Sequence, residues 1–233
     1  MRKQLNTFQN NMKKLLAEYL NKSIEEIDDM IKLNAERAIN DWNKMGMKKF
    51  YEDTDVYLYG LIDYSNWDRL ENITFPISKR KNLKILDYGA GIGAISFPLA
   101  YNNKMYYYDV PSKTQDFAKY IGERLDLKIN FLEENDVWTR EYDGIICVDV
   151  LEHLKKPMEL VKKITSHLKE GQFFLTSGLT FSVGPHTPMH LPENVAYRGA
   201  FNKYVDKHYR LTYFIAGPRE TIYMFQKKGE NNG

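Results

Sequence analysis

Short apolar runs alternate with amphipathic segments of helical length over residues 83–177. Strand-like and helix-like periodicities therefore follow one another along this part of the chain. Such alternation predicts a parallel α/β sheet in which crossover helices connect the strands. The predicted strands are Leu83–Asp87, Met105–Asp109, Lys128–Leu132, Tyr142–Val148 and Gln172–Ser177, and the clearest predicted helices are Lys113–Arg124 and Pro157–Leu168.

Two further strand-like runs, Tyr209–Ile215 and Thr221–Gln226, break the alternation near the C-terminus. The link between them, Ala216–Glu220, is too short for a crossover helix, so the two runs predict an antiparallel hairpin. The expected fold is therefore a doubly wound α/β sheet of seven strands. It is mostly parallel and ends in a C-terminal antiparallel hairpin strand.

Residues 1–75 show a different pattern, helical at first and then rich in aromatic residues. Apolar positions at three- and four-residue steps predict a helix over Leu5–Tyr19. Ser23 and Glu26 have the spacing of a capping box, which predicts the start of a second helix that ends near Gly46. We interpret 1–75 as a helical and aromatic cap or lid, 76–228 as the α/β domain and 229–233 as a disordered tail. The aromatic residues with a candidate role in lining a substrate pocket are Tyr57, Tyr59 and Tyr64.

Composition restricts the classes of partner. Of the 233 residues, 43% are hydrophobic and 27% are charged, which is typical of a soluble globular protein. The net charge of +2 is too small for a dedicated nucleic-acid binder. The single cysteine, Cys147, excludes an intramolecular disulfide. Residues 1–20 lack the apolar centre of a signal peptide, and no run reaches membrane-spanning length, so we expect a cytoplasmic location.

The segment Ile85–Gly93 reads Ile-Leu-Asp-Tyr-Gly-Ala-Gly-Ile-Gly. It predicts a buried strand that ends in a tight glycine turn, where the missing side chains let a ligand approach the backbone. A helix is expected to start within the glycines, and Pro98 should kink or shorten it. Asp87, just before the turn, suits a ligand that is positively charged or donates hydrogen bonds.

This acid and its three alternating glycines resemble the first motif of class I S-adenosylmethionine-dependent methyltransferases. Gly89–Ala94 also satisfies the fingerprint of nicotinamide-binding folds, and Asp109, 20 residues after Gly89, suits a ribose in either family. Asp87 favours the methyltransferase, because a carboxylate there would repel a pyrophosphate. The C-terminal hairpin is also similar to the methyltransferase sheet and unlike the plain dinucleotide fold.

The resemblance implies S-adenosylmethionine as the cofactor and assigns residues to it. Asp87 is expected near the amino-acid portion of the cofactor, Asp109 at both ribose hydroxyls and Val110 against the adenine. After the third strand, Asp136 is expected near the adenine amino group, with Asn135 as the alternative and a turn or helix cap as the purely structural reading. The other implied contacts are the glycine turn of Gly89, Gly91 and Gly93, and Asp149 facing the cofactor or shaping the pocket floor.

Residues 142–154 resemble the fourth-strand motif of small-molecule methyltransferases, in which a strand leads through Glu-His into a helix. Enzymes that methylate base or amide nitrogens commonly carry an Asn/Asp-Pro-Pro-aromatic turn at this position. This chain carries Asp149-Val-Leu-Glu152 instead, which argues against that chemistry. His153 is a candidate general base, because imidazole has an ordinary pKa of about 6.5. The alternative is that His153 braces the loop.

The segment Gly184–Glu193 follows the fifth strand, where open α/β sheets place ligand-contacting loops. Its histidines, His186 and His190, could join His153 and Glu193 in a metal site. Three prolines make the loop non-helical, so we interpret it as a pocket wall in which His186 or His190 contacts the substrate. No metal ligand is assigned, and the choice between substrate and metal for these two histidines stays open.

These features predict methyl transfer from S-adenosylmethionine to a small molecule, at an oxygen, nitrogen or carbon atom. The alternatives are a methyltransferase acting on RNA or protein, a nicotinamide-dependent oxidoreductase, and a cofactor-binding subunit without catalysis. We expect neither a membrane nor a nucleic acid as partner. Assembly into a homo-oligomer is left open.

Overall fold

The computed structural model describes residues 2–64, 67–177, 189–216 and 221–229. Five helices come first: α1 (Arg2–Leu20), α2 (Ile24–Met45), α3 (Met47–Asp53), α4 (Val56–Tyr64) and α5 (Trp67–Thr74). Four more alternate with the strands: α6 (Ser96–Ala100), α7 (Lys113–Arg124), α8 (Pro157–His167) and α9 (Arg198–His208). The strands are β1 (Lys84–Tyr88), β2 (Lys104–Tyr108), β3 (Ile129–Phe131), β4 (Gly144–Cys147), β5 (Phe173–Thr176), β6 (Tyr209–Ala216) and β7 (Thr221–Lys227).

The seven strands form one sheet in the order β3-β2-β1-β4-β5-β7-β6. Strands β1 to β5 pair in parallel, whereas β7 is antiparallel to both β5 and β6. The prediction of a mostly parallel seven-stranded sheet with a C-terminal hairpin is therefore confirmed. Strand order reverses direction at β1, which lies between β2 and β4. Open α/β sheets bind their ligands at such a switch point, outside the carboxyl ends of the strands.

Buried side chains cover both faces of the sheet. On one face, Leu86 and Ile145 join Val161 of α8 and Phe201 of α9 in a single apolar cluster. On the other face, the N-terminal helices pack against the sheet and its helices. The cluster there joins helix residues Leu16, Leu58 and Tyr59 with Phe97, Tyr107 and Phe117. The helical segment thus packs on the α/β core, while the division of the chain at residue 75 stays a prediction.

Local signals set the boundaries of the N-terminal helices. Ser23 Oγ accepts the Glu26 backbone N–H at 3.1 Å, and the Glu26 carboxylate accepts the Ser23 N–H at 2.7 Å, so the predicted capping box is confirmed. Gly46 then ends α2 with a φ of 72°, a backbone conformation that glycine adopts without a side-chain penalty. Among the described residues, no helix combines the length and apolar character that a membrane crossing requires.

Helix α6 differs from its prediction. It begins at Ser96, beyond the glycines, rather than within them. Pro98 consequently lies in the first turn of a five-residue helix, where a proline removes an N–H that has no partner within the helix anyway. Pro98 was expected to kink or shorten a helix that began within the glycines, and the late start places it in the first turn of a short helix instead. The predicted tail, 229–233, lies outside the described residues except for Gly229.

Candidate active site

The first functional side chain is Asp87, near the carboxyl end of β1. It is 1% exposed, and one of its oxygens accepts a hydrogen bond from Ser96 Oγ at 2.8 Å. Burial raises the pKa of Asp87 to about 7, against the lowering effect of the Ser96 bond. A buried carboxyl group with this hydrogen bond suits a ligand that is positively charged or that donates hydrogen bonds.

The glycine turn packs closely between β1 and its neighbours. The N–H groups of Gly89 and Ala90 both donate to the Tyr108 carbonyl, at 2.8 and 3.1 Å. Gly89 has a φ of 72°, and a Cβ there would collide with the Val150 side chain. Above Gly91, the side chain of Leu61 in α4 would lie 3.1 Å from an added Cβ. The predicted backbone turn is therefore present, and the N-terminal segment covers part of it.

Asp109 follows β2 and connects the second strand to the turn. Its Oδ2 accepts the Gly91 N–H at 2.5 Å, and its Oδ1 accepts the Val110 N–H at 2.7 Å. Burial raises the pKa of Asp109 to about 6, although both backbone bonds lower it. The side chain of Val110 is 42% exposed, so its predicted packing surface is available. Asp109 thus lies directly beside the glycine turn, as the ribose assignment requires.

The two candidates after β3 take different positions. Both lie in the 3-10 turn Glu134–Thr139. Asn135 lines an open cleft of about 450 Å³ beside Tyr88, Tyr108 and Trp138. Asp136 is exposed and is absent from the residues that line this cleft. The geometry therefore favours Asn135 as the residue that faces a cavity, while the adenine contact of Asp136 stays a prediction.

Asp149 comes two residues after β4 and has a positive φ of 54°. Ser177 Oγ donates to its carboxylate at 2.5 Å and accepts its backbone N–H at 2.7 Å. The other carboxylate oxygen forms an ion pair with Arg69 of α5. Asp149 therefore ties the N-terminal segment to the end of β4, and its predicted role toward the cofactor stays untested.

His153 lies in the 3-10 turn Leu151–His153. Its Nδ1 is 3.0 Å from the Tyr51 hydroxyl and 3.1 Å from the Met189 carbonyl oxygen. Burial, together with the neighbouring His190, lowers the pKa of His153 to about 4, so the ring is neutral at physiological pH. The centroids of the His153 and His190 rings are 5.0 Å apart.

Two site residues were not singled out from the sequence, Tyr51 and Glu152. Tyr51, in α3, contacts His153 from 102 positions away in sequence, and Tyr57 donates a 3.4 Å hydrogen bond to its hydroxyl. Tyr57 therefore lies beside His153, while its role in lining a substrate pocket stays a prediction. Tyr59, on α4, is fully buried in an apolar cluster. His186 and the Tyr64 side chain lie outside what the structure describes.

The sequence and the fold of this chain are similar to those of known proteins. The methyltransferase domain family matches residues 63–209. The chain belongs to this family. The predicted resemblance is thus confirmed, because the match spans more than half of the chain and includes the glycine turn and the His153 motif.

This methyltransferase domain has relatives named ubiquinone biosynthesis O-methyltransferase. The protein from Rickettsia typhi is 30% identical over 143 residues, which cover 54% of this chain and 57% of the relative. That from Coxiella burnetii is 29% identical over 114 residues, covering 46% and 49%. The chain thus spans about half the length of these relatives.

Solved structures support the fold of the methyltransferase domain. Magnesium protoporphyrin IX methyltransferase from Synechocystis, solved with bound S-adenosylmethionine, aligns with a TM-score of 0.55 and 14% identity, covering 84% of this chain and 97% of its own. An O-methyltransferase family protein from Burkholderia thailandensis aligns with a TM-score of 0.54 and 13% identity, covering 87% and 72%. At such identities the similarity concerns the fold alone.

Proposed function

We propose that this methyltransferase domain transfers a methyl group from S-adenosylmethionine to a hydroxyl oxygen of a small molecule. One observation carries the proposal: two buried carboxyl groups, Asp87 and Asp109, flank a glycine turn at the switch point of the sheet, and a neutral imidazole follows the next strand. The names of the relatives from Rickettsia typhi and Coxiella burnetii support oxygen as the acceptor atom.

The residues present fit S-adenosylmethionine. Asp109 would accept hydrogen bonds from the ribose hydroxyls, and Asp87 would interact with the ammonium group. Gly89 and Gly91 would let the cofactor approach the backbone, since a Cβ at either position would be crowded. When bound, the cofactor supplies an electrophilic methyl group on a sulfonium.

The chain's own residues would then position the acceptor. Because a carbonyl oxygen only accepts hydrogen bonds, the 3.1 Å contact with Met189 requires the proton of the His153 ring on Nδ1. The lone pair is then on Nε2. Such a nitrogen is able to receive a proton or to bind a cation beside the acceptor hydroxyl. The Tyr51 and Tyr57 rings would line the same place as an aromatic wall.

Calorimetry with S-adenosylhomocysteine tests the proposal, with NADH and NADPH titrated against the same protein. We expect micromolar binding of S-adenosylhomocysteine alone. A panel of hydroxylated and amine-containing metabolites, incubated with methyl-labelled S-adenosylmethionine, then tests the acceptor atom. Preference for a nicotinamide would overturn the proposal, and label found only on amines would overturn the choice of oxygen.

The variant His153→Ala tests the imidazole. We expect kcat to fall roughly tenfold to a hundredfold, because the nitrogen lone pair beside the acceptor is lost. The affinity for S-adenosylhomocysteine should stay unchanged, since Asp87 and Asp109 are intact. Steady-state kinetics and calorimetry on one preparation measure both quantities. His208→Ala, at the end of α9, is the matched control, and an unchanged rate for His153→Ala would leave this histidine with a structural role.

A further inference from the structure

Three side chains that suit a transition metal meet beside the acceptor position. One ligand atom each from Glu152, His153 and His190 lies within 4.8 Å of the other two. The two imidazole rings meet edge to face, at an interplanar angle of 79°. Two imidazoles and one carboxylate form a donor set that recurs in zinc and iron enzymes, with positions left open for a substrate.

One oxygen of the carboxylate in this cluster has no hydrogen-bond partner among the described residues. This oxygen is Oε2 of Glu152, a residue that is 4% exposed. A buried carboxylate oxygen without a partner is costly, because it loses its hydration and gains nothing in return. A bound cation would supply the missing interaction.

The hydrogen bonds around His153 prepare its ring as a ligand. Nδ1 lies beside the Met189 carbonyl and the Tyr51 hydroxyl, at 3.1 and 3.0 Å. A metal-binding histidine typically donates its second ring N–H to a backbone carbonyl in this way, which orients the ring and leaves the other nitrogen for the metal.

The backbone that carries His190 is attached firmly to the Glu152 turn. The Leu191 N–H donates to the Glu152 carbonyl at 3.0 Å. Asn194, 1% exposed, donates from Nδ2 to the carbonyl oxygens of Glu152 and Leu154, both at 2.9 Å. A polar residue buried in this position holds the two segments together. These hydrogen bonds therefore hold His190 beside His153.

The charges nearby also favour a cation. Asp149 precedes Glu152 by three residues, and its carboxylate accepts a hydrogen bond from Ser177 and pairs with Arg69. The Arg69 guanidinium acts on Glu152 and is paired with Asp149. In the described part of the chain, the Asp149 and Glu152 carboxyl groups thus lie together beside this guanidinium.

We propose that Glu152, His153 and His190 bind a divalent first-row transition metal, with Zn²⁺ as the best match to the donor set. Ligands at about 2.1 Å in a tetrahedral site are roughly 3.4 Å apart, so the three side chains close inward when the ion binds. This inference rests on the proposed function for its chemistry. The ion would bind the acceptor hydroxyl and make it more acidic, and the hydroxyl proton would leave to water. The oxygen lone pair then forms the new bond to the methyl carbon, and the pair of the broken carbon–sulfur bond stays on sulfur.

Metal binding alone provides the test, with no substrate present. After EDTA treatment and dialysis, the full chain is titrated with Co²⁺ and followed by visible absorption, then with Zn²⁺ by competition. We expect one Co²⁺ per chain, with visible bands that Zn²⁺ removes. His190→Ala and Glu152→Gln should each weaken Zn²⁺ binding at least about tenfold. His208→Ala should bind like the wild type.

The outcomes separate this inference from the proposed function. Binding of S-adenosylhomocysteine without stoichiometric Co²⁺ binding would overturn the metal site and leave the methyltransferase proposal standing. Stoichiometric Co²⁺ binding without S-adenosylhomocysteine binding would do the reverse. Equal Co²⁺ binding by the wild type and His190→Ala would also overturn the site. His190→Ala guards against a folding failure of Glu152→Gln, because His190 is only partly buried.

Discussion

Replacing Asp109 by alanine should weaken the binding of S-adenosylhomocysteine about a hundredfold, or by a few kcal/mol. The carboxylate is the proposed acceptor for two ribose hydroxyls, and no other carboxylate contacts the Gly91 N–H in the described residues. Its removal would leave those hydroxyls unpaired in a partly buried site. Calorimetry at pH 8 measures the effect, where the Asp109 carboxyl, with its pKa of about 6, is ionised.

Two further variants make this result specific. Asp109→Asn keeps one acceptor oxygen for the Gly91 N–H, so it should preserve the turn while losing much of the affinity. Asp206→Ala, on the exposed side of α9, should bind like the wild type. If Asp109→Ala keeps wild-type affinity, the ribose does not bind at this carboxylate, and the cofactor assignment built on β2 is wrong.

Local patterns were sufficient to predict most of the fold. The predicted helix Lys113–Arg124 is α7, residue for residue, because Ser112 caps it and an apolar face buries it. The hairpin of β6 and β7 follows from a link too short for a crossover. Helix α6 was misplaced because Gly93 has a φ of 78°, outside the helical range, and the Phe97 ring packs against it, so the helix begins only at Ser96.

The site was predictable only where strand order determines it. Asp87 and Asp109 each come near the end of a parallel strand, so a parallel sheet brings them to one edge, and their spacing in sequence carries that information. Tyr51 reaches His153 through the packing of α3, which no local periodicity encodes. In the sequence, Glu152 is recognised only as part of the Glu-His motif. That its carboxylate oxygen is buried without a hydrogen-bond partner is apparent only from the structure.

Leu61 and Arg69 give the N-terminal segment a defined relation to the site. Leu61 lies above Gly91, and Arg69 pairs with Asp149. The cap predicted for residues 1–75 thus contacts the carboxyl ends of both β1 and β4. Whether it opens as a lid is a prediction, and opening would have to break these two contacts as well as that between Tyr51 and His153.

Replacing Asp87 by asparagine should stabilise the protein without cofactor at pH 8 and weaken its cofactor binding. Burial raises the pKa of Asp87 from its ordinary 3.8 to about 7. A folded-state pKa above the unfolded value means that the folded state holds the proton more tightly. The stability contributed by the protonated group is therefore complete below pH 3.8 and is lost as pH rises through 7.

At pH 8 the wild type holds a buried charge that the asparagine variant lacks, while the amide oxygen still accepts the Ser96 hydroxyl. We expect the variant to gain about 2–4 kcal/mol in the free energy of unfolding, or roughly 5–15 °C in Tm. Near pH 5.5 the carboxyl is protonated in the folded state but ionised in the unfolded state, so about half of the difference should remain, and it should vanish only below pH 3.8. Asp109, with its pKa of about 6, remains in both proteins and gives them a shared decline with pH.

Binding should respond in the opposite direction. At pH 8 the ionised Asp87 attracts the ammonium group of S-adenosylhomocysteine, so the variant should bind at least about tenfold more weakly. Thermal unfolding without ligand and calorimetry with it, both at pH 5.5 and 8, measure the two effects on the same preparations. A lower Tm for the variant at pH 8 would contradict the prediction, because it would mean that the surrounding protein stabilises the ionised carboxylate of Asp87. The gain in one property and the loss in the other would together identify Asp87 as a group whose burial is unfavourable for folding and favourable for binding.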